Sequence, residues 1–76
     1  MKLAHWRYFD GRLFKSVEHF SFKDPLANKL AAAIREETGA RCRVVTDHGP
    51  GWTHVFVERD KLDEAYAVAE RPEFLA

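Results

Sequence analysis

Hydrophobic positions recur along this chain with two different periods, and the switches between them mark its elements. Residues 3–9 and 12–20 are rich in aromatic and β-branched types and flank Asp10-Gly11. A DG pair between two such runs predicts a hairpin, because a type I′ turn needs positive φ at both central positions. Pairing Phe9 with Arg12 sets Tyr8 against Leu13, Trp6 against Lys15 and Ala4 against Val17. One face then carries Ala4, Trp6, Tyr8, Leu13 and Val17 and is expected to meet a helix. The opposite face carries Leu3, His5, Arg7, Phe9, Arg12, Phe14, Ser16 and Glu18. His19–Lys23 leads onward, with Phe20 or Phe22 expected to close the edge of the core.

From Asp24 the period lengthens. Leu26, Leu30 and Ile34 recur every four residues, with Ala27 and Ala31 beside them, which predicts one apolar helical stripe. Asp24 is a good N-cap, Pro25 suits the first helical position, and Gly39 is free to end the helix at positive φ. Alternation resumes at Arg41–Thr46 and again at Trp52–Val57, with His48-Gly49-Pro50-Gly51 as punctuation between them. An even, four-residue loop pairs Asp47 with Trp52, Val44 with Val55 and Cys42 with Val57. It leaves Arg41, Arg43, Val45, His54 and Phe56 on the other face. Slipping by one residue would move every side chain across. A last helix is expected to be capped by Asp60, with Leu62, Ala65, Tyr66 and Ala69 as its stripe and Pro72 as its stop.

The order is ββαββα. It predicts a two-layer α+β fold, a four-stranded, mostly antiparallel sheet with two helices on one face. Residues 1–76 are expected to form one α+β domain, with residues 72–76 as a short tail. The expected core is Trp6, Tyr8, Leu13, Val17, Leu26, Leu30, Ile34, Val44, Val55, Val57, Leu62 and Tyr66.

Composition narrows the functional classes. The 76 residues carry 12 basic and 12 acidic side chains, so no overall field favours nucleic acid or an anionic membrane. Residues 1–54 hold nine Lys or Arg against six acids, and residues 55–76 hold three against six. Cys42 is the one cysteine, which excludes an internal disulfide and suits a reducing compartment. No apolar run reaches the length of a membrane span or a signal peptide, so a cytoplasmic location without membrane attachment is expected.

Catalysis finds little support. Cys42 lies in an alternating strand where its arginine neighbours point away, and no serine sits in an elbow motif. The histidines lack the paired spacing of a metal site, so neither metal nor cofactor is expected. The chemistry gathers instead on the helix-free face, in Arg7, Phe9, Arg12, Phe14, Arg41, Arg43, His54 and Phe56. Left in water, Phe9, Phe14 and Phe56 would expose three large rings together, which is uncommon on a small monomer. Arginine among aromatics is the composition of protein interfaces. A non-enzymatic protein-interaction module is therefore expected, a homodimer or the partner of another small protein. On that view Phe14→Asp or Phe56→Asp abolishes assembly and leaves the monomer folded. The alternative is single-stranded RNA or DNA, with bases stacking on the same rings and arginines pairing with phosphates.

Overall fold

The computed structural model describes residues 5–47 and 51–75. Four strands, β1 (Trp6–Phe9), β2 (Arg12–Ser21), β3 (Cys42–Asp47) and β4 (Trp52–Glu58), form one sheet in the order β1-β2-β4-β3. Helices α1 (Pro25–Thr38) and α2 (Leu62–Ala69) pack together on one side of it. Every neighbouring pair is antiparallel. The expected two-layer α+β fold is the observed one. Strand β4 arrives last yet lies between β2 and β3, so the crossover through α1 spans the place that β4 later fills.

Local chemistry explains the boundaries. Asp10 and Gly11 have φ of 52° and 77°, and the hairpin pairs Phe9 with Arg12, Tyr8 with Leu13 and Trp6 with Lys15 as expected. The pairing of Ala4 with Val17 lies outside the described residues. Asp24 accepts a hydrogen bond from the Leu26 N–H at 2.9 Å, and Gly39 ends α1 at φ 72°. The second hairpin keeps the even register, with Asp47 against Trp52, Val44 against Val55 and Cys42 against Val57. The turn residues 48–50 lie outside the described residues.

The helix-side core joins Ala27, Leu30, Ala31 and Ile34 of α1 to Ala65, Val68 and Ala69 of α2 over Val17, Phe20, Val55 and Val57. Phe74, in a 3-10 turn over Pro72–Phe74, closes this core, so the expected tail docks. Between Phe20 and Phe22, Phe20 is the core residue and Phe22 is exposed.

Three expectations need correction. Leu13 is only half-buried and lies outside the helix-side cluster, and Trp6 and Tyr8 are not core: they are 45% and 71% exposed. They lie on the short edge strand at the sheet's margin, where the Lys15 ammonium sits 5.4 Å from the Trp6 ring and 5.5 Å from Tyr66 of α2. Asp60 does not cap the last helix. Arg59–Lys61 forms a 3-10 turn, and α2 starts after Lys61 with no side-chain cap. Finally, alternation in β2 does not run through. A bulge between Ser16 and Glu18 doubles Val17 and Glu18 against one partner position. Beyond it Glu18 opposes Val55, His19 opposes His54 and Phe20 opposes Thr53.

Candidate functional site

The face away from the helices is concave, because the sheet curls until its two edges approach. Asp10, in the turn next to edge strand β1, forms an ion pair with Arg43 on the opposite edge strand, β3. The curl encloses a second, smaller core. Phe14 is 3% exposed and Phe56 is 0% exposed, with no helix over them. Phe9 meets both edge-on, at centroid distances of 5.2 and 5.4 Å. His54, also buried, lies 5.7 Å from the Phe56 ring and 3.0 Å through Nδ1 from the Ser16 hydroxyl.

This arrangement corrects the expected contact surface. Phe14, Phe56 and His54 are the floor of the concavity, covered within the monomer. Each is almost wholly shielded from solvent in the single chain. Phe14→Asp and Phe56→Asp would therefore place a carboxylate in a packed interior, and the expectation that the monomer survives either change is withdrawn.

Guanidinium groups form the rim. Arg7 stacks over Phe56 with its central carbon 5.2 Å from the ring centroid, and Arg43 lies 5.4 Å over Phe9. Arg12 and Arg41 are exposed at the same end of the sheet. Sequence reasoning missed Arg35, which α1 directs into this group. Its Nη2 donates to the Cys42 carbonyl at 3.0 Å. Arg12, Arg35, Arg41 and Arg43, with Phe9, Phe14, Cys42, Ala40 and Asp10, line a hollow of about 310 Å³. Among the described residues no carboxylate comes within ion-pair distance of the Arg12 or Arg41 side chains. Glu58 is spent on backbone: its carboxylate accepts the Arg41 N–H at 2.6 Å, and its own N–H donates to the Arg41 carbonyl at 3.1 Å.

Burial pushes the Cys42 thiol up to about 11, against the pull of nearby Arg35, so the neutral thiol is favoured.

Alternation already set His5 and His54 on this face, and the bulge brings His19 to join them. His5 lies 5.0 Å and His19 6.2 Å from His54, ring to ring, and His19 meets the exposed Trp52 edge-on at 4.7 Å. A legible signal existed in the three-residue step from Val17 to Phe20, which puts two core residues on one face only across a bulge. Among the described residues no three His, Cys, Asp or Glu side chains are grouped to hold a metal ion, and no helix is long and apolar enough to cross a membrane. Comparison with protein-family models, with curated proteins and with solved structures gives no match to this chain.

Proposed function

We infer that this chain is a small, non-enzymatic interaction module that binds an acidic protein surface through the arginine rim of its curled sheet. One observation carries the reading: Arg7, Arg12, Arg35, Arg41 and Arg43 share a rim where, among the described residues, Asp10 is the one carboxylate paired to their side chains. Arginines stacked on rings are partly desolvated and fixed in direction, as interface arginines are. The chain also carries a complementary surface of its own. Asp60, Asp63, Glu64, Glu70 and Glu73 are exposed on and around α2. Self-association of rim against α2 is therefore included, and so is a second protein bearing similar acids. A cytoplasmic setting belongs to the same reading and is supported by the unpaired, buried Cys42.

Equilibrium sedimentation at micromolar concentration, at low and high salt, tests self-association. The expected result is an oligomer at low salt that dissociates as salt screens the contact, and that Arg7→Glu with Arg12→Glu prevents. A monomer under all conditions removes the self-association and leaves a foreign acidic partner. Single-stranded nucleic acid is the second reading, favoured by the Arg12 and Arg41 guanidinium groups, which pair with no carboxylate among the described residues, and by the exposed Trp52. It is weakened by the burial of Phe14 and Phe56, which removes the stacking platform. Quenching of Trp52 fluorescence by a short oligonucleotide, with a steep loss of affinity as salt rises, would favour it over the protein reading.

A further inference from the structure

We propose that the hollow between the β1–β2 turn and the C-terminal end of α1 is an oxyanion site that takes a phosphate group, with Asp10 as its built-in competitor. The proposal rests on the reading of the rim as a binding surface and names the chemistry of the hollow within it.

Four arginines, Arg12, Arg35, Arg41 and Arg43, line about 310 Å³ together with one acidic residue, Asp10. Like charges gathered this way repel unless something balances them. The available balance is partial. The C-terminal pole of α1 suits Arg35, which also donates to the Cys42 carbonyl. Glu58 stands close by but is held on the Arg41 backbone N–H. Asp10 pairs with Arg43, and that pair is open to water, its side chains 80% and 48% exposed, so it is a weak contact. Arg12 and Arg41 keep their hydrogen-bonding forks unused by any described carboxylate. A tetrahedral dianion fits such a set, since each guanidinium can grip two phosphate oxygens in parallel. The volume is at the small end for ligand sites and suits a phosphorylated side chain, not a large ligand. The favoured carrier is a phosphorylated protein segment, because the rings nearest the hollow, Phe14 and Phe9, are buried or covered by Arg43 and offer no face for a base.

The geometry assigns opposite signs to two kinds of variant. Arg12→Ala or Arg41→Ala removes a ligand-binding fork. Asp10→Asn removes the competitor, and Asn-Gly is at least as good as Asp-Gly in this turn, so the fold is kept. Titration of the full chain with inorganic phosphate at pH 7.5, followed by calorimetry and by the arginine side-chain NMR signals, gives the direct test. Saturable binding is expected, weakened about tenfold or more by Arg12→Ala or Arg41→Ala and strengthened several-fold by Asp10→Asn. A phosphoserine peptide should bind more tightly than its unphosphorylated parent and be displaced by phosphate. Tighter binding of a 5′-phosphorylated oligonucleotide than of the phosphopeptide would overturn the protein carrier. Phosphate binding that is absent, or indifferent to all three substitutions, overturns the site. An acidic, unphosphorylated peptide that binds through Arg7 without competition from phosphate would leave the interaction module standing and this inference refuted. Failure of every anion and peptide would remove both.

Discussion

Phe56 is the residue on which the inner face closes, touched by Phe9, by His54 and by the Arg7 guanidinium. Truncation to alanine should cost about 3–5 kcal/mol, because the sheet cannot collapse into the space the ring leaves. Denaturant titration reads that loss directly. Tyr8 makes the contrasting case. Although it too is a large aromatic residue, it stands in water, so Tyr8→Ser should shift stability by no more than about 0.5 kcal/mol. Cys42 contributes through its proton. The fold favours the neutral thiol, whose pKa is raised from 9.0 to about 11. That contribution is whole below pH 9 and fades as pH climbs from 9 toward 11. Cys42→Ala should therefore flatten part of the alkaline loss of stability, and native Cys42 should resist alkylation at neutral pH until the chain unfolds.

At the scale of elements, α1 obeys its sequence throughout: cap, proline, stripe and terminal glycine all fall where their chemistry asks. Gly39→Ala gives a clean test, since a Cβ there meets no atom within 4 Å and the whole cost is backbone strain at φ 72°. A loss of about 1–2 kcal/mol is expected in thermal or denaturant unfolding. Both hairpin registers were also legible, because turn chemistry and alternation agree on them. The arginines Arg7, Arg12, Arg41 and Arg43 could be placed on one face for the same reason. What could not be read was curvature. Alternation says which face a side chain takes but not whether that face is flat or folded over itself, so Phe14 and Phe56 read as exposed. The bulge at Val17 left a single trace in the sequence, the broken period between Val17 and Phe20, because one added residue shows only in its own strand. Trp6 and Tyr8 were misjudged because a helix covers a sheet unevenly, and its reach depends on its length and tilt.

Taken whole, the molecule has one sheet with packed side chains on both faces, and its edges meet through Asp10 and Arg43. Aromatic packing, not that ion pair, maintains the curl. Asp10→Asn should accordingly leave the melting temperature within a few degrees of the parent, since exposed pairs contribute at most about 1 kcal/mol. Strand β4 is the wall shared by the two cores, and Thr53–Val57 are buried without interruption. This wall is also the last of the four strands to leave the ribosome. A nascent chain ending before Trp52 holds β1, β2, α1 and β3 but has nothing to place between β2 and β3. Two local hairpins can form early, whereas the seam from Phe14–Glu58 to Ser21–Trp52 closes loops of about thirty to forty-five residues. Docking of the second hairpin against β2 is then the slow event of folding, and the unpaired edge of β2 is the sticky intermediate surface until it happens. Arrested chains released at successive lengths should stay protease-sensitive up to the end of β4 and become resistant only once Phe74 is also free to dock.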